Sequence, residues 1–279
     1  RGVVGAMDEV TDAVLGFLGN PEWEGNWDRR GLVLGHVQSG KTANYIGLVC
    51  KACDAGYKVI IVLAGLQNTL RRQTQERIDE GFLGFDPGVT LDQGSKIGVG
   101  RIDDNRRPNY LTTAKRDFNR NSREANGIQW GGLPEPVVLV IKKNKNILEN
   151  LISLLRQNAG NQQQLPLPAL IIDDEADNAS INVGKHDNIS RINGLLRELL
   201  SLFSKSSYVG YTATPFANVF IDPRSIRDDI GADLFPRDFI YSLDPPTNYM
   251  GANEIFGDDS DLNIIQLIED NDSWLPVKH

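Results

Sequence analysis

A strand-loop-helix pattern near the amino terminus constrains the fold of this chain more than any other feature. Residues 31–50 read "GLVLGHVQSGKTANYIGLVC", which joins an apolar run, a glycine-containing loop and a helix-forming segment. The loop satisfies the spacing G-x-x-x-x-G-K-[ST], in which glycines allow successive backbone N–H groups to turn inward around an anion. The helix that follows directs its positive amino-terminal end toward the same anion. The pattern therefore predicts a phosphate-binding loop.

The motif assigns roles to individual residues of this loop. Lys41 is expected to reach the β- and γ-phosphates of ATP, and Thr42 is expected to bind Mg²⁺. A glycine turn that binds no nucleotide is the alternative, and the flanking strand and helix disfavour it. The candidate nucleotide-binding residues are Gly35, Gln38, Ser39, Gly40, Lys41 and Thr42.

Apolar runs and helical stretches alternate along the chain. The apolar runs lie at 31–34, 58–64, 136–141, 168–173 and 207–211, and the helical stretches at 41–54, 67–80, 144–157 and 188–204. Continuous apolar runs are typical of strands that are buried on both faces. Strands and helices in alternation predict an α/β fold, with a mostly parallel sheet between two layers of helices.

Composition divides the chain into three parts. We expect residues 1–30 to form a helical lead-in, residues 31–221 an ATP-binding lobe, and residues 222–279 an acidic linker. Within the lobe, residues 81–135 are rich in Gly, Asn, Arg and Asp and are expected to be an insertion with little regular structure. The net charge is −8, of which residues 222–279 carry −9, so about +1 remains on the rest. The acidic balance therefore leaves room for nucleic-acid binding by a local basic patch.

A second motif, "ALIIDDEADNAS" at residues 169–180, follows an apolar strand. A P-loop enzyme needs one carboxylate at a strand end to hold Mg²⁺, and hydrolysis needs a second one to orient or deprotonate the attacking water. Asp174 and Glu175 supply both, and Asp173 is an additional acid before them. An acidic helix cap is the alternative, and it explains one aspartate better than a cluster.

A third motif, "YVGYTATPFAN" at residues 208–218, also lies at a strand end. The short hydroxyl groups of Thr212 and Thr214 can hydrogen-bond to the acidic cluster. Alone, a threonine before a proline is an ordinary way to end a strand. Because this motif follows the two earlier ones in order, we expect the two hydroxyl groups to connect the hydrolysis site with the segment beyond Pro215.

"GHVQSGKT", "DDEAD" and "TATP" in this order resemble motifs I, II and III of superfamily-two helicases and translocases. With "RRGLVL", "LRRQTQERIDEGF", "LIIDDEAD" and "LFPRDFIYSLDPPTNYMGANEIFG", the chain more closely resembles the Z-one domain family. These are bacterial helicase-like ATPases, often labelled endonucleases, that are encoded beside restriction-modification and anti-phage genes. The resemblance covers nearly the whole chain and is weakest in the insertion.

The resemblance implies a P-loop NTPase with a RecA-like fold, of which this chain is the first helicase lobe. Lys41 and Thr42 match the phosphate and magnesium residues of the family, Asp174 the magnesium-binding acid and Glu175 the catalytic base. Three further residues match those that couple hydrolysis to movement. They are Asp177, Thr212 and Thr214.

Two loops after predicted strands carry candidate nucleic-acid contacts. "GLQNTLRRQT" follows the second strand, where related motors contact the nucleic-acid backbone, and "KKNKN" follows the strand at 136–141. Such groups can donate to phosphate oxygens. A solvated helix face is an equally good explanation for each of them. The candidates are Asn68, Arg71, Arg72, Gln73, Lys142, Lys143 and Lys145.

The chain lacks a second P-loop-like array after residue 221, so an arginine from a second RecA-like lobe is expected to complete the site. Such an arginine raises the rate by roughly 10³ to 10⁵. The isolated chain should therefore bind ATP and Mg²⁺ but hydrolyse ATP slowly. None of the eleven lysines has an acid two residues before it, as the restriction-nuclease pattern [DE]-x-K requires, so nuclease activity is not expected here.

Cysteine usage and hydropathy predict a cytoplasmic protein. Cys50 and Cys53 fall within the helix after the P-loop, and we expect them to pack against the core rather than to bind a metal. No apolar run approaches the length of a membrane span, so we expect no membrane contact.

Two functional hypotheses remain. The first is an ATP-driven motor that acts on nucleic acid, with DNA preferred, in bacterial defence or restriction. The second is an ATP-dependent interaction module that controls assembly of a defence complex with other operon proteins and does not translocate. Motif III and the basic loops favour the first.

Overall fold

The computed structural model describes residues 3–35, 40–88, 96–103, 107–121, 125, 127–128, 130, 132–178, 180, 187–219, 221, 226–227 and 231–244. All of them lie in one compact unit, residues 1–244. The predicted site residues Gln38 and Ser39 and most of the predicted acidic linker lie outside the described residues.

Six helices and nine strands are described. In chain order they are α1 Val3–Phe17, β1 Trp27–Leu34, α2 Lys41–Asp54, β2 Val59–Ala64, α3 Asn68–Ile78, β3 Asn109–Tyr110, β4 Val137–Ile141, α4 Lys145–Ala159, β5 Leu165–Asp174, α5 Asp187–Ser201, β6 Phe203–Thr212, α6 Phe216–Val219, β7 Ile226–Arg227, β8 Gly231–Ala232 and β9 Phe239–Ser242. A π-helical turn, Asp79–Leu83, follows α3, and a 3₁₀ turn spans Gly98–Arg101.

Seven strands form one parallel sheet in the order β3-β4-β2-β5-β6-β1-β9. β7 and β8 form a separate antiparallel pair. Strand β6 lies between β1, which leads into the P-loop, and β5, which carries the acidic motif. The predicted α/β fold with a mostly parallel sheet is confirmed.

Both faces of the sheet are buried, which explains why its central strands are continuous apolar runs. In β2, Val59, Ile61 and Leu63 pack into one core with apolar residues of α4 and α5. The alternate residues Ile60, Val62 and Ala64 pack into a second core with residues of α1 and α2. Because successive side chains of a strand point to opposite faces, the sheet separates two helical layers.

The edges of several elements differ from the predicted ones. Strand β1 begins at Trp27, within the predicted lead-in, and α1 packs against α2. The predicted helix 188–204 ends at Ser201, and β6 begins at Phe203. Strand β9 pairs with β1 although it lies beyond residue 221, where the lobe is predicted to end. Its four residues, between connectors rich in Pro and Asp, are too short a run to indicate a strand.

The described part of the predicted insertion contains the 3₁₀ turn and strand β3. The 3₁₀ turn is attached to the π-helical turn by close backbone packing. A Cβ at Gly98 would lie 1.9 Å from the carbonyl oxygen of Glu80, and one at Gly100 equally close to that of Gly84. Glycine is therefore required at both places. None of the described helices is both long and apolar enough to cross a bilayer.

Substitution of Gly31 tests the docking of β9 beside β1. Gly31 pairs with Phe239 in register, and a Cβ on Gly31 would lie 2.0 Å from the Phe239 ring. We expect Gly31→Ala to lower the free energy of unfolding by about 1–3 kcal/mol, because the ring must move. Urea denaturation measures the change. Gly16→Ala in α1, where nothing lies within 4 Å, is the control and should be neutral or stabilising. Equal stability of both variants would contradict the pairing.

Candidate nucleotide-binding site

The three motifs meet at the carboxyl edge of the sheet. Strands β1, β5 and β6 are neighbours and parallel, so their carboxyl ends lie at the same edge. The backbone N–H of Gly35 donates to the carbonyl of Thr212 at 3.0 Å, which joins the start of the P-loop to the third motif. Gly40 adopts a φ of 77° immediately before α2, a conformation that favours glycine. The local geometry thus agrees with the predicted strand-loop-helix unit.

Lys41 is directed toward the P-loop and the acids. Its Nζ donates to the carbonyl oxygen of Gly35 at 2.9 Å. Burial lowers the pKa of Lys41, while the charges of Asp174, Asp177 and Glu175 raise it. All three acids therefore lie within electrostatic reach of the ammonium group.

Thr42, Asp174 and Glu175 line one small cavity of about 120 Å³, together with Gly65 and Arg77. The structure thus brings together the predicted magnesium residues and the predicted base. Among the described residues, no group of three or more His, Cys, Asp or Glu is arranged to hold a metal. Mg²⁺ beside a nucleotide needs only one or two protein oxygens, since phosphate and water supply the rest. The hydroxyl of Thr42 and the carboxylate of Asp174 fit that requirement.

Tyr45 connects the two magnesium candidates and was not predicted. Its hydroxyl lies 3.4 Å from Asp174 Oδ2, and the Thr42 side chain hydrogen-bonds to the same hydroxyl. Burial, followed by the charge of Asp174, raises the pKa of Tyr45, so the phenol stays protonated. Tyr45 lies three residues after Thr42 on α2, a spacing that places both on one helix face.

Burial raises the pKa of Asp174, and the charge of the adjacent Glu175 raises it further. Glu175 itself is exposed and has a φ of 56°, the only positive φ among the described residues other than glycine. A Cβ on Gly65 would lie 3.1 Å from Glu175 Oε2. The glycine at the end of β2 therefore leaves room for the Glu175 carboxylate.

A buried ion pair lies directly beneath Glu175. Lys143 Nζ lies 2.6 Å from Asp173 Oδ1, and both side chains are 0% exposed. The same ammonium donates to the carbonyl oxygen of Glu175 at 2.5 Å and to that of Asn178 at 3.1 Å. The second Asp173 oxygen accepts from the hydroxyls of Ser180 and Tyr208, each at 2.5 Å. Asp173, the extra acid of the motif, therefore belongs to a buried hydrogen-bonded network.

The predicted hydrogen bonds of the third motif are confirmed. Thr212 Oγ1 donates to Asp177 Oδ1 at 2.7 Å, and Thr214 Oγ1 donates to Asp177 Oδ2 at 2.6 Å. The backbone N–H of Ala176 donates to the carbonyl of Tyr211 at 3.0 Å. The loop after β5 and the end of β6 are therefore joined through both side chains and backbone.

Two of the predicted nucleic-acid contacts are buried residues. The Lys143 ammonium forms a buried ion pair with Asp173. Arg71 is 4% exposed, and its guanidinium donates to the carbonyl oxygens of Thr113 and Ala114 at 2.7–3.0 Å. Arg71 thus fastens the inserted segment to α3, and it also lines the open cavity there. The buried Lys143 ammonium is not available to a phosphate.

The other candidates remain accessible. Asn68 and Arg72 line an open cavity of about 440 Å³, where Lys115 of the insertion joins them. Gln73 lines the small cavity beside Asp174. Lys145 is exposed and Lys142 half-buried at the start of α4. The exposed surface at α3 therefore includes the predicted residues Asn68 and Arg72 and one lysine that was not predicted, Lys115.

The two cysteines lie on α2 as predicted. Both are free and partly buried, and Cys53 packs against the core shared with α1. Burial raises the pKa of Cys50 to about 11. A thiol of that kind is neutral at physiological pH, in agreement with a packing role.

Neither protein-family models nor curated proteins match this sequence. Among solved structures, the chain is similar to the ATP-dependent Type ISP restriction-modification enzyme LlaBIII bound to DNA. The sequences are 14% identical, the TM-score is 0.47, and the match covers 77% of this chain. The chain spans about 12% of the length of that enzyme.

Removal of the Lys143 charge tests the buried network. Lys143→Met leaves the Asp173 carboxylate buried without its cation, so we expect the free energy of unfolding to fall by about 3–5 kcal/mol. Urea denaturation provides the measurement. Lys145→Met, at an exposed site two residues later at the start of α4, should change it by less than about 0.5 kcal/mol. The double variant Lys143→Met/Asp173→Asn should recover much of the loss. Wild-type stability of the single variant would show that the pair is not buried.

Proposed function

We propose that this chain is the ATP-binding and hydrolysing lobe of a superfamily-two helicase- or translocase-like protein. The chain is the first RecA-like lobe of that protein. The protein acts on nucleic acid, with DNA preferred, in bacterial defence or restriction. The observation that carries the proposal is the convergence of Thr42, Asp174 and Glu175 on one cavity beside Lys41. A glycine turn without a nucleotide does not require two carboxylates and a lysine at the same sheet edge.

The residues support hydrolysis of the terminal phosphate of ATP. Lys41 binds the β- and γ-phosphates, and Thr42 and Asp174 would hold Mg²⁺, which would neutralise phosphate charge. Glu175 accepts a proton from water as the water oxygen bonds to the γ-phosphorus. The bond from that phosphorus to the bridging oxygen breaks, and ADP leaves with the electron pair. The products are ADP and inorganic phosphate.

The coupling role proposed for Asp177, Thr212 and Thr214 is supported by their hydrogen bonds. Asp177 follows Glu175 by two residues, and its two carboxylate oxygens accept from two hydroxyls of the β6 end. A shift of the loop after β5 therefore alters the segment that leaves β6. The shift would travel along a contiguous hydrogen-bonded path.

Nucleic-acid binding is proposed at the α3 surface, formed by Asn68, Arg72 and Lys115. Arg72 is more than half exposed, and its one ion pair among the described residues is a long i,i+4 pair of 3.6 Å with Glu76. Exposed pairs of this kind stabilise a helix weakly, so the guanidinium can exchange its partner for a phosphate at little cost. Gln73, Lys142 and Lys145 are further candidates.

A second RecA-like lobe of the same parent protein is the proposed partner that completes the catalytic cleft. The isolated chain is then a weak ATPase without nuclease activity. The alternative is a regulatory module whose nucleotide state controls binding to defence-operon proteins. The loop after β5 is hydrogen-bonded to the end of β6, which links the cavity to the rest of the lobe. This connection favours the motor hypothesis over the regulatory module.

Paired variants separate ATP binding from hydrolysis. Lys41→Ala should abolish ATP binding, whereas Glu175→Gln should bind ATP and Mg²⁺ normally and hydrolyse it about 10²- to 10⁴-fold more slowly. Calorimetry and single-turnover hydrolysis measure the two properties. Glu22→Gln, the same change at an exposed position, should behave as wild type. A hydrolysis rate of Glu175→Gln equal to that of wild type would rule out Glu175 as the general base.

A charge-removal pair tests the α3 surface. Arg72→Ala/Lys115→Ala should weaken DNA binding and reduce the slope of log affinity against log salt by about 1–2, because each lost phosphate contact releases fewer counterions. Arg156→Ala/Arg191→Ala removes two equally exposed cations from the opposite helical layer and should leave the slope unchanged. Equal effects of both pairs would contradict a local site. The regulatory module would be favoured if the wild-type protein does not bind DNA but binds a partner protein in a nucleotide-dependent way.

A further inference from the structure

Arg77, in the last turn of α3, contacts the first turn of α2. Its Nη1 donates to Thr42 Oγ1 at 3.0 Å, although the two residues lie on different helices. Thr42 is the hydroxyl that the motif assigns to Mg²⁺. A permanently charged guanidinium therefore lies beside the predicted metal ligand.

Arg77 lines both cavities at this end of α2. One is the small cavity with Thr42, Asp174 and Glu175, and the other is a larger one of about 870 Å³ that includes Gly40 and Lys41. No other basic side chain among the described residues lines the cavity that contains the predicted base. Arg77 thus shares a cavity with the acids that are proposed to act on the terminal phosphate.

Acidic side chains share both cavities with Arg77: Asp174 and Glu175 line the small one, and Glu80 lines the larger one. Within the described part of the chain, no carboxylate forms an ion pair with its guanidinium, whereas Arg72 on the same helix pairs with Glu76. Lys41 and the positive amino-terminal end of α2 lie at the same place. The carboxyl-terminal end of α3 favours a cation, but it does not account for the bond to Thr42.

Resting on the proposed function, we propose that Arg77 is a phosphate-contacting arginine supplied by this lobe itself. With a nucleotide bound, Thr42 Oγ1 would hold Mg²⁺, and the positive charge of the metal would disfavour the bond from the Arg77 guanidinium to that hydroxyl. Arg77 then exchanges the hydroxyl for a terminal phosphate oxygen. Its planar fork of donors matches a phosphate and stabilises the charge that develops during transfer. The second lobe is therefore not the sole source of a stabilising arginine.

The first measurement is binding of inorganic tripolyphosphate and of ATP by calorimetry, each with Mg²⁺ and with EDTA. Arg77→Ala should weaken both ligands by about 10- to 100-fold, as the loss of a charge-assisted hydrogen bond predicts, and should do so in EDTA as well. Arg156→Ala, which removes an exposed arginine of α4 in the opposite helical layer, should bind both as wild type does. Far-UV circular dichroism and thermal unfolding check that each variant is folded.

The second measurement is single-turnover ATP hydrolysis. Arg77→Ala should be slower by about 10²-fold or more, and Arg77→Lys should restore only a small part of the rate, because an ammonium lacks the planar fork. Tripolyphosphate affinity or hydrolysis equal to wild type in Arg77→Ala would overturn the inference. Tighter Mg²⁺-ATP binding by Arg77→Ala would also overturn it, since Arg77 would then merely occupy the metal position.

The two proposals fail in different ways. Wild-type protein that binds neither ATP nor tripolyphosphate contradicts the proposed function and the role of Arg77 together. Wild-type binding that Lys41→Ala abolishes and Arg77→Ala leaves unchanged contradicts the role of Arg77 alone.

Discussion

The buried pair of Lys143 and Asp173 is the interaction on which the candidate site depends. β2 lies between β4 and β5 in the sheet, so a side chain from the end of β4 reaches the end of β5 past the terminus of β2. Gly65 stands at that terminus, and its carbonyl accepts from the backbone N–H of Lys143 at 2.9 Å. Lys143 thus holds three strand ends together, with its ammonium at the end of β5 and its backbone N–H at the end of β2. Because both charges are out of water, either one without the other would be strongly destabilising.

The same ammonium explains how Glu175 keeps an unfavourable backbone conformation. A positive φ is costly for glutamate, and it persists only where neighbouring contacts fix the chain. The carbonyl of Glu175 accepts from Lys143, and the next N–H, of Ala176, donates to Tyr211. Anchors on both sides leave the Glu175 side chain exposed at the cavity while its backbone is fixed. A side chain proposed to orient water benefits from a rigid backbone of this kind.

Much of this arrangement could be predicted because it depends on local patterns. The glycine spacing around Lys41, the apolar run before Asp174 and the hydroxyls of Thr212 and Thr214 are each visible within a dozen residues. Lys143 and Arg71 could not be placed in this way. A lysine after a strand has the same local sequence whether it is solvated or buried, and its burial depends on Asp173, thirty residues away in a strand that is not adjacent. Strand β9 was not predicted for a related reason: its four residues form a strand because they pair with β1, and this pairing leaves no local signal in the sequence.

The nucleotide binding that we propose at this edge would exchange existing hydrogen-bond partners for the ligand. Lys41 is bonded to the Gly35 carbonyl, Arg77 to Thr42, and Tyr45 to Asp174, so each group proposed to contact phosphate or metal already has a protein partner. The internal bonds keep the charged groups ordered, which reduces the entropy lost on binding. They also reduce the net gain, because each must be replaced by a stronger contact. Charge-assisted bonds to phosphate and Mg²⁺ meet that condition, whereas neutral ligands of the same shape do not. In the proposed site, this network of internal bonds would therefore favour a highly charged anion.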